Sequence, residues 1–275
     1  MRGSLLFCTS LWRSRVLLWR LSRRDVEARY RGTVLGLCWG VLQPLLMLVI
    51  YTFVFSVVFR ARWGGAASPV SSAQHSPLLF ALNLFAGLIV FNVAADCLVR
   101  APTLVVANPN YVRKVVFPLD VLAPVSMAGS LFTAGMSLLA LAALEIVVLG
   151  GLPITWLWLP MLWLPLVLGC CGVGWLLSAL GVYIRDTAQV VALVVNILLY
   201  ITPIFYPLQA LPPAWRPILQ LNPLAPLVEA TRQATVEGVA PNGLLLALAV
   251  AVSLLFCQLS WRLFERARRG FADVL

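Results

Sequence analysis

Residues 121–149 read VLAPVSMAGSLFTAGMSLLALAALEIVVL and carry a single charged side chain, Glu145. About 20 such apolar residues cross the hydrocarbon core as an α-helix, because a helix satisfies its own backbone polar groups where no water can. Five further stretches have the same character: about Val34 to Phe59, Pro77 to about Leu98, Trp156 to Tyr183, Thr187 to Tyr206 and Gly243 to Trp261. The turn Gly150, Gly151, Leu152, Pro153 divides the third stretch from the fourth. The prediction is an all-α polytopic membrane protein with six transmembrane helices. Only 11% of the 275 residues are charged, against about 25% in an ordinary soluble domain. With a mean hydropathy of +0.95, a water-soluble fold is excluded.

The formal charge of +10 would suggest nucleic acid in a soluble protein, but here the basic residues lie between long uncharged runs. The expected partner is therefore an anionic lipid surface and not nucleic acid. Lys and Arg are retained in cytoplasmic segments. Sixteen of the twenty fall on one side of the predicted spans: residues 1–31, the second-to-third loop, Arg185 and the segment after Trp261. Four fall on the other. Both termini are predicted to be cytoplasmic, as an even number of spans also requires. The chain divides into a cytoplasmic N-terminus (1–33), a six-helix membrane domain (34–261) and a cytoplasmic tail (262–275).

Between residues 11 and 31, Arg13, Arg20, Arg24 and Arg31 fall near one helical face and Trp12, Val16, Trp19 and Val26 on another. Two readings fit: an amphipathic helix lying in the inner leaflet with its aromatics at headgroup depth, or a polybasic flank that only sets topology. Leu5 to Cys8 is too short an apolar core for a signal peptide. The second-to-third loop, residues 100–118, carries Asn108, Pro109, Asn110, Tyr111, Arg113 and Lys114, either a docking surface for a soluble partner or a plain solvated loop. The fifth-to-sixth connection, 207–242, is apolar and rich in proline. Its two short stretches, Trp215 to Leu221 and Leu224 to Val236, are too short to span and read as re-entrant helices in the outer leaflet. They would serve as a lid over a pore or as a static cap.

Catalytic and cofactor signals are missing. Lys114 is the sole lysine and no G-x-x-x-x-G-K precedes it, so the chain has no P-loop. Any ATP and Mg would be bound by another polypeptide. His75 is the sole histidine, and the six cysteines have no metal-site spacing, so they read as small core residues. Asp96, Asp120 and Glu145 lie near predicted span ends, where a charge costs less than at mid-membrane. Asp96 has Arg100 at i+4, a local ion-pair geometry. Asp25 and Glu27 sit among arginines as charge balance. No nucleophile and base stand together, and the chain is not an enzyme by itself.

Several segments together resemble the permease subunits of ATP-binding-cassette exporters of polysaccharides and polyol phosphates, such as O-antigen, teichoic-acid and capsule exporters. They are Arg24-Asp25-Val26, the run Arg29 to Gly36, Trp39, Gln43-Pro44, Asn108 to Asp120 (NPNYVRKVVFPLD), Arg185-Asp186, Thr202 to Pro207, Leu221-Asn222-Pro223 and Arg232. They occur in family order between about residues 24 and 235, and the N-terminal run is nearest the O-antigen and teichoic-acid branches. The resemblance implies a homodimer in the bacterial inner membrane, docked on two copies of a separate ATP-binding-cassette ATPase. Its cargo would be an undecaprenyl-diphosphate-linked glycan. The residues Asn108, Pro109, Asn110, Tyr111, Arg113 and Lys114 would couple to the ATPase. A periplasmic gate would use Trp215, Arg216, Asn222, Pro223 and Arg232. The lipid diphosphate would meet Arg24, Arg29 and Arg31, whose planar forks suit phosphate oxygens.

A glycan needs a protein-lined conduit, since each hydroxyl stripped of hydrogen bonds costs about 4–8 kcal/mol in an alkane-like medium. Aromatic faces suit the apolar face of a sugar ring. Trp39, Tyr51, Phe55 and Phe59 on the first span and Tyr200, Phe205 and Tyr206 on the fifth are candidates to line it, or else pack and face lipid. A drug or lipid exporter would share this topology. An ion-coupled transporter would need ion-binding groups at mid-membrane, which the sequence does not show.

Overall fold

The computed structural model describes residues 6–31, 35–54, 77–113, 117–206 and 221–274, which are mostly helical and include no strand. Two helices, α1 (Leu6–Arg13) and α2 (Arg15–Tyr30), precede a 3-10 turn and α3 (Trp39–Thr52). Then come α4 (Pro77–Arg100), the short α5 (Pro109–Arg113) and α6 (Leu122–Leu149). A one-turn helix α7 (Leu159–Leu162) leads into α8 (Leu164–Tyr183), followed by α9 (Thr187–Ile201) and α10 (Leu224–Arg232). The long α11 (Gly243–Ala267) and a final turn α12 (Phe271–Val274) complete the order.

Four helical segments, Leu78–Thr103, Leu119–Leu149, Ile154–Tyr183 and Gly243–Val274, are long and apolar enough to cross a membrane. Even the shortest, 26 residues, extends about 39 Å against a core of about 30 Å. The chain is thus an all-α polytopic membrane protein with at least four spans. The first and fifth predicted spans appear as the shorter apolar helices Trp39–Thr52 and Thr187–Ile201. Helix α9 stops at Ile201 and not at Tyr206, because Thr202 precedes a proline and takes an extended backbone (φ −71°, ψ 133°). The fourth predicted span runs within one helical segment, Ile154–Tyr183, with a local irregularity at Trp163 between Pro160 and Pro165. Helix α11 continues past Trp261. Cys38, expected in the core, is exposed, while Cys97, Cys170, Cys171 and Cys257 are buried.

Helix α4 is the hub of the bundle. In its most apolar window 72% is buried, against 22% in Leu119–Leu149 and 17% in Gly243–Val274, whose outer faces are free for lipid. Helices α3, α6, α8, α9 and α10 pack around it, and α11 packs mainly on α8. That last crossing is tight at Gly172, where an added Cβ would sit 2.8 Å from the ring of Phe256. Small residues of this kind let membrane helices approach closely without a hydrophobic driving force.

Candidate functional site

The break after α9 builds a site at one end of the bundle. Past Thr202 the carbonyls of Pro203 and Ile204 lose their helical partners, and Arg232 reaches them from α10. Its Nη1 donates to Pro203 O at 2.6 Å, its Nη2 to Ile204 O, and its Nε to Asn83 O on α4 at 2.8 Å. The guanidinium is 1% exposed, with Glu229 at 3.7 Å. Asn222 braces the same break: its Nδ2 donates to Thr202 Oγ1 at 2.8 Å while its Oδ1 accepts from Leu224 N at 3.0 Å. Gly87 makes room, since a Cβ there would lie 2.7 Å from Arg232 Nη2.

Aromatic rings gather beside this clamp. Phe205 meets Tyr51 edge-on at 5.3 Å between centroids and Tyr200 at 6.3 Å. Tyr206 donates its hydroxyl to Tyr200 O at 3.0 Å. Four of the aromatic candidates, Tyr51 from α3, Tyr200 from α9 and Phe205 and Tyr206 from the segment after it, therefore gather at one end of α3 and α9. Trp39 lies at the other end of α3, 40% exposed. Phe55, Phe59, Trp215 and Arg216 lie outside the described residues. Asn222, Pro223 and Arg232 all stand at or next to the break.

At the opposite end of α4, helix α2 is fastened by Arg29. Its Nε donates to Asp25 Oδ2 at 2.9 Å and its Nη1 to Asp96 Oδ2 at 2.8 Å, with Nη2 on Ser126 O at 3.3 Å. Burial works against the charge of Arg29, but Asp96 and Asp25 outweigh it and hold its pKa above the ordinary guanidinium value. Asp96 also accepts from Ser130 Oγ at 2.6 Å and from Arg100 Nε at 2.7 Å. Gly129 sits beneath; a Cβ there would collide with Arg29 Nη2 and Asp25 Oδ2. Of the three arginines expected near a diphosphate, Arg29 is thus committed to carboxylates, Arg24 bonds the hydroxyl of Tyr111 at 2.9 Å, and Arg31 is exposed.

That Arg24 bond joins α2 to the loop residues. Asn108 Nδ2 holds Leu104 O at 3.0 Å at the start of α5, and Tyr111 stacks on Phe117 at 4.3 Å. Arg268, beyond α11, donates to Phe117 O at 3.1 Å. Lys114 and the side chain of Arg113 lie outside the described residues. Two further acids are buried. Asp120 accepts from Ser10 Oγ on α1 at 2.6 Å and from Trp261 Nε1 at 3.3 Å, which anchors the N-terminus to the bundle. Glu145 accepts from Trp156 Nε1 at 2.8 Å, closing the α6–α7 turn. Among the described residues no group of three or more His, Cys, Asp or Glu could hold a metal ion.

Sequence reasoning missed the Arg29–Asp96 pair and the backbone acceptor of Asn83. The first had a signal in principle, a carboxylate and an arginine both predicted at the inner surface. The second had none, because it is a main-chain group.

Residues 16–236 match the ABC-2 type transporter family. The chain is 26% identical over 263 residues to the O-antigen export system permease protein RfbA of Klebsiella pneumoniae, covering 94% of this chain and 95% of that protein. It is 27% identical over 267 residues to the RfbA permease of Myxococcus xanthus, covering 96% of each. It is 26% identical over 253 residues to the polysialic acid transport protein KpsM of Escherichia coli, covering 89% and 92%.

Proposed function

The chain belongs to the ABC-2 type transporter family, and from that premise we propose that it is the permease subunit of an ATP-driven exporter of an undecaprenyl-diphosphate-linked polysaccharide. The cargo is O-antigen-like, following the two RfbA relatives that match this chain from end to end. Helices α3 and α9 are the remaining two of six spans, and both termini face the cytoplasm. Two copies form the conduit in the bacterial inner membrane. Two copies of a separate ATPase subunit supply ATP and Mg.

The observation that carries this reading is the gathering of Tyr51, Tyr200, Phe205 and Tyr206 beside a buried clamp, at the end of α4 away from the arginine-rich helix. Such a wall offers flat apolar faces to sugar rings and hydroxyls to their edges. Movement of the 202–206 break would open or close it, which gives Arg232, Asn222 and Pro223, with Trp215 and Arg216 of the 207–242 segment, their role as the periplasmic gate. At the inner end, Asn108 to Lys114 receive the ATPase. The bond from Arg24 to Tyr111 would pass that motion to α2, near which the lipid diphosphate enters at Arg31.

The test is export of surface glycan in cells lacking the native permease. Tyr51→Ala with Phe205→Ala should lower surface glycan at normal protein level, and Glu145→Gln should leave it unchanged. Normal surface glycan in cells without the permease, with transport of a drug or lipid lost instead, would overturn the cargo assignment. Loss of transport in Glu145→Gln at normal protein level would point to ion coupling.

A further inference from the structure

Helix α2 is pinned to α6 by Arg29 and, at its end, by Tyr30, whose hydroxyl shares a hydrogen bond with Thr133. Beside these contacts an open groove of about 1050 Å³ runs between the two helices, as large as the ligand pockets of about 300–1,000 Å³ that hold small organic molecules. Its floor is apolar: Leu18 and Val26 from α2 face Pro124, Ala128 and Phe132, one stripe of α6. Arginines mark the groove at Arg15, Arg23 and Arg31, with Trp19 beside them, 73% exposed.

The charge balance of this groove is positive. Glu27 is the one carboxylate lining it, and Arg23 pairs with it at 2.8 Å. Arg15 lies over the Trp12 ring at 5.0 Å, and neither it nor Arg31 has a carboxylate partner among the described residues. Helix α2 is 16 residues long, about 24 Å, so the groove matches an extended chain and not a compact anion. The Arg29 fork and the close seat at Gly129 fix the distance between α2 and α6 on the far side. The groove is therefore part of the packed fold and not a gap left by a loose helix.

An apolar channel with a cationic rim and an exposed indole has the chemistry of one class of occupant. We propose that this groove binds an anionic glycerophospholipid of the inner leaflet. One acyl chain lies on the Val26, Ala128 and Phe132 floor, and the headgroup phosphate sits between Arg15 and Arg23, two helical turns apart on α2. The indole of Trp19 stands at headgroup depth. This lipid is distinct from the cargo, and the site stands whatever the exported molecule is.

The experiment is native mass spectrometry of the full chain with its partner ATPase, purified in a mild detergent doped with equal phosphatidylglycerol and phosphatidylethanolamine. The wild-type complex should retain phosphatidylglycerol preferentially. Arg15→Gln and Arg23→Gln should each weaken that preference about five-fold, the effect of one basic residue near an anionic surface at about 1 kcal/mol. Arg15→Lys should restore it, because a point charge suffices for a lone phosphate. Ala128→Trp keeps every charge but fills the floor, and should abolish retention in a complex that remains monodisperse. Equal retention of both lipids, or phosphatidylglycerol retention untouched by all of these variants, would overturn the site. So would displacement of phosphatidylglycerol by equimolar undecaprenyl diphosphate, which would assign the groove to the cargo.

Discussion

Helix α4 meets an arginine site near each end, one part-buried and one fully buried, and the two are built on opposite principles. Around Asp96 the side chains of Arg29, Arg100, Asp25 and Ser130 cancel one another's charge. About 20 Å away along the helix, at Asn83, Arg232 is held by three main-chain carbonyls, with Glu229 at 3.7 Å and Glu237 as carboxylate neighbours. The inner site depends on which residues are present and tolerates small shifts of backbone. Two of the outer carbonyls, those of Pro203 and Ile204, belong to the chain past the break at Thr202, so the outer site depends on the path of that segment. One end of α4 is fastened by charge, and the other end reads conformation. That division suits the gate and anchor roles proposed above for the two ends.

The contrast is broken most severely by Arg232→Met, which removes the guanidinium donors of the Pro203 and Ile204 carbonyls and the brace to Asn83 O. The loss should be about 3–5 kcal/mol, as for removal of one partner of a buried charged pair, read as a fall in the thermal unfolding midpoint in detergent. Arg232→Lys should recover only part, since an ammonium lacks the planar fork. Gly129→Ala attacks the inner site by volume, pushing Arg29 and Asp25 off α6 at about 1–3 kcal/mol, with faster proteolysis of α2 as the readout. Asp96→Asn should cost about 2 kcal/mol through weakened charged hydrogen bonds. Combined with Arg29→Gln it should cost clearly less than the two single losses added, the mark of direct contact. Smallest in stability is Tyr111→Phe, about 0.5–1 kcal/mol for one exposed hydrogen bond. Its larger effect should be on stimulation of ATPase activity by cargo, measured in the assembled transporter.

Where interactions are local, the sequence was a good guide. Asp96 and Arg100 were expected to pair at i+4 and do so at 2.7 Å. The apolar runs at 77–98, 121–149 and 243–261 correspond to long helices because span length is a local property of composition. Tyr51 and Phe205 were picked for their chemistry, yet nothing in their spacing says that the rings touch, because they come from separate helices. The same holds for Arg29 and Asp96. The stop at Ile201 was legible in Thr202-Pro203, but hydropathy, which continues through Phe205 and Tyr206, outweighed the pre-proline signal. The importance of Arg232 was implied by family resemblance alone; its partners are main-chain atoms, on which the identity of Asn83, Pro203 and Ile204 has little bearing.

One contact has a mechanical meaning. After α4 the chain turns at Ala101–Thr103, and the backbone of Pro102 lies so close to Gly181 of α8 that a single methyl group could not be inserted. Close-packed interiors transmit displacement without compressing. A push delivered to this loop therefore cannot be absorbed locally as slack. On the proposed coupling role of residues 108–114, such a push would swing α4 and α8 together as one lever, the length of α4 carrying the stroke toward the Arg232 clamp at its far tip.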